Sequence, residues 1–268
     1  MTKKQVAEAK DQLPAEMMAD MMGDAGIGTD SFDREDIAIP RISILQQLSP
    51  QVTKGKPEFI EGLEVGEIFN TVTQETFSGE DGVYVVPISY RRAHIEWKLR
   101  RDGGGLVADH GTDSSVLENT SKDDDFRDIT KDGTQIVVTA EYFVYLVNKE
   151  TGSYTPAVLS MSASQMKKAR RWNTLMSQFE MTDPASGKKF TPATFARLYH
   201  LTTTPEQNDR GSWFGWDVTG DCIITDVPQG AEIYAAAKDF RDKVVSGEVK
   251  AAPDEAPAST EESDDFPM

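Results

Sequence analysis

A mainly β protein with some helix (α+β) is the fold class this sequence predicts. The expected form is a five-stranded OB-like barrel, with one helix between strands 3 and 4 and a C-terminal helix. Three observations carry that expectation. Apolar and polar residues alternate in several separate runs, the period of strands. The period changes to a helical one at about residue 162, with further strand-like runs after it. A last helical run precedes an acidic tail. Strands, one helix and then two strands is the order an OB-type barrel uses. A plain α+β sheet is the alternative.

The elements follow in order. Ala7–Met22 is apolar-periodic and reads as a loose helix or a partner-binding segment, with Gly23–Asp36 as linker. Ile37–Val52, punctuated by Pro40 and Pro50, is the first ordered segment, and Gly55–Gly66 is turn-rich. Glu67–Phe77 reads as a strand. Gly82–Lys98 alternates most clearly: Tyr84, Val86, Ile88 and Tyr90 against Val83, Val85, Pro87 and Ser89. Pro87 there calls for an edge position or a bulge. Arg101–Asp132, with its glycine run and its SKDDDF stretch, reads as a long polar excursion or arm. Gln135–Asn148 and Tyr154–Met161 form a hairpin across Lys149–Ser153, with Gly152 supplying the turn. Ser162–Gln165 fits a capping box. Met166, Ala169, Trp172 or Asn173, Leu175 or Met176, and Phe179 then follow at helical spacing, with Lys167, Lys168, Arg170 and Arg171 on the other face. Thr194–Thr204 and Ser212–Val218 read as strands, and Ala231–Val245 as the last helix.

The chain carries 28 basic and 45 acidic residues, for a net charge of −17. Residues 1–36 hold 4 basic and 9 acidic side chains, and residues 246–268 hold 1 and 7. Such segments bury too little apolar surface to offset their ordering entropy. The domain organisation expected is therefore a disordered or loosely helical acidic segment over 1–36, an OB-like domain over 37–245 and a disordered acidic tail over 246–268. Hydrophobic residues, at 38%, suffice for a core if some of the chain stays outside it. There is no run of about 18 apolar residues and no apolar leader, so neither a membrane span nor a secretory signal is expected. Cys222 is the single cysteine, which excludes a disulfide framework or Cys-cluster zinc site. A soluble protein of a reducing compartment is expected.

Little in the chain suggests catalysis. His94, His110 and His200 show no metal-ligand spacing. Gly103–Gly105 opens no helix, so it forms no phosphate loop. Asp123–Asp125 lacks the turn glycine and distal glutamate of a calcium loop. No cofactor is implied and no enzyme is expected; a metal-dependent nuclease using Asp123–Asp125 is the third-ranked alternative.

Positive charge is clustered. Ile88–Arg101 contains Arg91, Arg92, Lys98, Arg100 and Arg101 against Glu96 alone. Gln165–Phe190 contains Lys167, Lys168, Arg170, Arg171, Lys188 and Lys189 against Glu180 and Asp183. Aromatic residues are interleaved: Tyr90 and Trp97 in the first stretch, Trp172 beside the KKARR run, then Tyr199, Trp213 and Trp216. Cations that track phosphates and rings that stack on bases are what a single strand of nucleic acid requires. For Trp172 and for one of Trp213 and Trp216, a place in the core is an equal reading. The tail ends in an acidic run and an apolar tip: Asp264, Asp265, Phe266, Pro267 and Met268. Such a tip can compete with DNA for a basic groove, or dock in a partner's basic-rimmed apolar pocket.

Five blocks resemble a group of tailed-bacteriophage proteins regarded as single-stranded DNA-binding proteins. They are PRISILQQLSPQV (40–52), EFIEGLEVGEIFNTVT (58–73), VVPISYRRAHIEW (85–97), AVLSMSASQMKKARRWNTLM (157–176) and LYHLTTTPEQNDRGSWFGWDV (198–218). The resemblance spans residues 37–220. It implies an OB fold and a role in phage DNA replication and recombination, in the cytoplasm of the infected host. It also implies contacts to replication proteins such as a polymerase, helicase or primase. The tail is similar in style to those of bacterial and podophage single-stranded DNA-binding proteins, but departs in placing Phe before Pro and Met. A protein that binds no DNA, acting in regulation or recombination through protein contacts, is the alternative. Assembly as a homodimer stays open.

Overall fold

The computed structural model describes residues 15–28, 39–209 and 211–249. Residues 1–37 and 38–268 form two separate units. In the first unit, α1 (Ala15–Gly23) exposes Met17, Met18, Met21 and Met22. The tail residues Asp264 to Met268 lie outside the described residues.

The second unit is built on an eleven-stranded mixed sheet that curls into a half-barrel. Its strands are β1 (Arg41–Ile44), β2 (Ile68–Asn70), β3 (Thr76–Phe77), β4 (Val83–Trp97), β5 (Leu106–Asp109), β6 (Thr120–Lys122), β7 (Asp128–Thr130), β8 (Gln135–Val147) and β9 (Tyr154–Ser162). After α2 (Met166–Ser177) and a small β10–β11 hairpin (Met181–Thr182, Lys189–Phe190) come β12 (Arg197–Asn208), β13 (Gly211–Ile223) and α3 (Gly230–Val245). The spatial order is β13-β12-β4-β8-β9-β1-β2-β3, with β5 paired to β4, β7 to β8 and β6 to β7. All these pairs are antiparallel except β1 with β9.

The five-stranded OB barrel is therefore incorrect. A helix does stand between the β9 and β12 strands. However, residues 41–77 add three strands beyond β9, and residues 106–130 add three more on the flanks of β4 and β8. The capping box is also absent. Ser162 makes no side-chain cap bond, and the Gln165 side chain reaches instead to the Trp216 amide, accepting from its N–H at 3.0 Å.

Pro87 sits inside central strand β4, where its missing N–H is absorbed by a bulge between Pro87 and Ser89. The extra residue changes the phase of side-chain alternation. Val83 and Val85 face one apolar cluster, while Val86 and Ile88 face another. Past the bulge the even-numbered residues turn to the first side, and Tyr90 lies against Tyr142.

Each face of the sheet carries a helix. On one face, Ala169 and Trp172 of α2 pack with Ile42, Ile68, Tyr142, Leu159, Tyr199, Trp216 and Val218. Ile68 and Val218 come from opposite ends of the strand order, so their meeting in one cluster closes the curl around α2. On the other face, Ile233 and Ala237 of α3 pack on Val86, Ile88, Tyr145, Phe195 and Leu198. Beyond the end of α3 on that face, Glu141 is 0% exposed and joins two arginines. Arg41 donates to its Oε1 at 2.8 Å and Arg91 to its Oε2 at 2.5 Å. Arg91 also pairs with Asp109, and Arg41 donates to Ser160.

Four backbone groups of edge strand β13 are occupied by side chains. Gln46 donates from Nε2 to the Phe214 carbonyl at 2.8 Å and accepts from the Phe214 N–H at 2.9 Å. Gln165 holds the Trp216 N–H, and Arg171 donates to the Val218 carbonyl at 3.1 Å. The Gln46 amide thus stands where a strand's peptide would, blocking the pairing that open edges invite. Gln46→Ala leaves both Phe214 groups without these bonds. It is expected to cost about 1–3 kcal/mol and to make the chain self-associate with concentration, as read by urea unfolding and sedimentation velocity.

The excursion between β4 and β8 is an ordered arm. Ala93, Ile95 and Trp97 form its own small core with Val137. Thr134 and His110 hydrogen-bond Glu96 at 2.5 and 2.8 Å, and these bonds, the Thr134 hydroxyl's first, hold its carboxyl below the usual range. The β6–β7 hairpin ends in the turn Asp123–Arg127, where Phe126 has φ +62°. That is the position at which glycine normally relieves a three-residue hairpin loop. Phe126→Gly is therefore expected to leave stability unchanged or raise it by up to about 1 kcal/mol. An ordinary buried phenylalanine would lose about 3–5 kcal/mol on truncation; thermal unfolding separates the two outcomes.

Candidate nucleic-acid interface

The sheet face that carries α2 gathers part of the expected basic and aromatic set. The cross-strand partners of Tyr90 and Arg92 are Tyr142 and Ala140, both in the α2-side core, so Tyr90 and Arg92 share that side. Tyr90 is 42% exposed, and its ring centroid lies 5.1 Å from that of buried Tyr142. The Tyr142 hydroxyl shares its one proton between Asn173 Oδ1 at 2.9 Å and the Ala169 carbonyl at 3.1 Å, tying the ring pair to α2. Burial pushes the Tyr142 phenol well above its ordinary pKa, so it stays a neutral donor. Arg170 stands one turn before Asn173, on the same stripe of the helix. Arg92, Lys98, Lys167 and Arg170 are exposed, and none makes an ion pair within 4.0 Å among the described residues.

The remaining expected cations are partly neutralised or placed elsewhere. Lys168 pairs with Glu206 at 2.8 Å, and Trp213 donates from Nε1 to the same carboxylate at 3.1 Å. These two residues are thus joined, but through a negative charge. Arg171 pairs with Asp217 at 3.2 Å, and Arg101 with Asp102 at 3.7 Å. Arg91 faces the other side of the sheet, in the Glu141 network, because neighbouring strand residues point opposite ways. The Arg100 side chain lies outside the described residues.

Four rings of the expected binding set are core, which for Trp172 and for one of Trp213 and Trp216 is the equal reading of the sequence. Trp97, Trp172, Tyr199 and Trp216 are all buried. Trp172 packs between Tyr142 and Tyr199, with centroids 4.3 and 5.7 Å away. A base cannot stack on a ring already enclosed by protein, so Trp97 and Tyr199 are corrected to core, and for Trp172 and Trp216 the core reading holds. Tyr90, and Trp213 with its half-buried ring, remain.

Two features lay beyond the sequence reading. The buried Glu141 and its Arg41 partner had no local signal, being 100 residues apart. Asn173, at a helix position assigned to packing, anchors Tyr142. Elsewhere, a cleft of about 420 Å³ is lined by Glu64, Glu67, Glu80, Thr203 and Phe214, and its charge repels phosphate. Asp123 and Asp125 are both engaged by Arg127, and no group of three His, Cys, Asp or Glu suited to a metal occurs among the described residues.

Sheet and site together define an α+β protein built on one large sheet, with a helix on each face and an aromatic, cationic patch beside one of them. Residues 7–250 match the Pam3 phage gp34-like protein family, and the chain belongs to it. No curated protein and no solved structure matches the chain. Among the described residues no helix is long and apolar enough to cross a membrane.

Proposed function

We propose that this phage protein binds single-stranded DNA, without sequence preference, across the sheet face beside α2. One observation carries the reading: Tyr90 is an exposed ring, backed by Tyr142 and Asn173, with Arg92 and Arg170, unpaired among the described residues, on the same side. The ring stacks on a base while the cations meet neighbouring phosphates. The acidic tail covers this patch when DNA is absent and recruits a replication protein when DNA is bound. The protein acts in phage DNA replication or recombination within the infected cell's cytoplasm.

Fluorescence anisotropy of labelled oligo-dT, titrated with the full chain at several salt concentrations, tests the reading. Binding that weakens steeply with salt supports it; no binding at low salt sinks it. Tryptophan emission is a poor reporter here, since Trp97, Trp172 and Trp216 are buried. Deleting residues 251–268 should tighten DNA binding.

The second reading is an accessory protein acting through protein contacts. The ion pairs at Lys168, Arg171 and Arg91 favour it, because they leave fewer cations for phosphate. A gel shift showing no DNA complex, with a partner still retained, would decide for it.

A further inference from the structure

Phe126 is the most exposed large apolar side chain among the described residues, at 77%. It is also held rigidly. Asp123 accepts from the amides of Asp125 and Arg127 through Oδ1, at 3.1 and 2.9 Å. Its Oδ2 accepts from Arg127 Nε at 2.7 Å, and Arg127 also pairs with Asp125 at 3.2 Å. Partial desolvation opposes ionisation of Asp123, yet these bonds from Arg127 and Asp125 hold its carboxyl below the usual range. The turn therefore presents the ring outward, at a φ where a bulky side chain is unfavourable. A position that would fold as well with glycine keeps an aromatic ring, and among the described residues no core cluster includes it.

Residues 121–128 contain Lys122 and Arg127 against Asp123, Asp124, Asp125 and Asp128. The tip is negative, so it repels nucleic acid and anionic lipid. It suits an apolar pocket with a cationic rim. The same tripeptide occurs a second time in the chain: Asp124-Asp125-Phe126 in the hairpin, Asp264-Asp265-Phe266 in the tail.

We propose that the Phe126 tip is a docking element for a protein partner, its ring entering an apolar pocket rimmed by lysine or arginine, and that residues 264–266 address the same pocket. The hairpin half stands independently of DNA binding; the shared pocket rests on the partner-binding reading of the tail. A preformed turn has little freedom left to lose on docking, so the hairpin presents its ring already organised for recognition.

The test places the photoreactive residue benzoylphenylalanine at position 126, or at position 266, of the full chain in phage-infected bacteria. An aromatic residue replaces an aromatic one at an exposed site, so the fold is kept. The expected result is one protein cross-linked from both positions, at a peptide where basic side chains border apolar ones. Adduct formation from position 126 should fall about tenfold with Asp124→Lys and on addition of a synthetic peptide of residues 255–268. In a pull-down of that same protein, Phe126→Trp should retain binding and Phe126→Ala should lose it. An adduct from 266 but none from 126 overturns the hairpin proposal and leaves the tail reading standing. An adduct from 126 that the peptide does not displace overturns the shared pocket. An adduct from 126 to DNA or to a second copy of this chain overturns the choice of partner.

Discussion

Glu141→Ala is expected to destabilise the protein by roughly 3–5 kcal/mol, the usual cost of breaking a buried ion pair by removing one partner. The carboxylate is 0% exposed and takes hydrogen bonds from two arginines on different strands. Removing it brings Arg41 and Arg91 together in a poorly hydrated site without the charge between them. In urea the midpoint should fall while the slope stays constant, since the same surface is exposed on unfolding. Arg91→Ala should cost less, because Arg91 is partly solvated and Glu141 retains Arg41. A combined Arg41→Met, Glu141→Leu, Arg91→Met variant should recover much of the loss, as apolar replacements of buried ion pairs commonly do. A loss under about 1 kcal/mol for Glu141→Ala would show that the network contributes little to β1–β8–β4 packing, against the usual cost of such a break.

The long strands were legible because each spans several alternations. β4, β8 and β9 lie where the sequence places them, and so do α2 and α3. β5 to β7 contain three or four residues each, too few for a period to show, and Glu67–Phe77, read as one strand, is two short strands, β2 and β3, joined by a turn. Without β5 to β7, and with β2 and β3 counted as one, the sheet looks small enough for a barrel. The site was half legible for a related reason. Alternation placed Tyr90 with Val86 and Ile88, yet the bulge after Pro87 moves Tyr90 to the other face. Proline announced a bulge without saying which residues beyond it would change sides. The basic run Arg91-Arg92 is likewise divided, one arginine to each face. Burial of Trp172 and Trp216 rests on Tyr142 and Tyr199 arriving from distant strands, a long-range fact that local charge neighbours could not report.

The tightest test of the DNA-binding surface follows from that division. Tyr90→Ala should weaken oligo-dT binding by roughly 1–3 kcal/mol, the value of one base–aromatic stack, or about five- to 150-fold. Arg92→Ala combined with Arg170→Ala should weaken it further. It should also flatten the plot of log affinity against log salt by about 1.4, since each phosphate contact on a single strand contributes about 0.7. Lys189→Ala is the control, because that lysine is exposed but paired with Glu180 on the β10–β11 hairpin. Arg91→Ala is the sharper comparison: it lies next to Arg92 in sequence but on the opposite face, so it should lower stability and leave the salt slope intact. Trp172→Phe should act in the same sense, changing unfolding and not affinity, because the ring is enclosed between Tyr142 and Tyr199. Equal losses of affinity from Arg91 and Arg92 variants would show that DNA does not discriminate the two faces. The patch around Tyr90 would then not be where the strand lies.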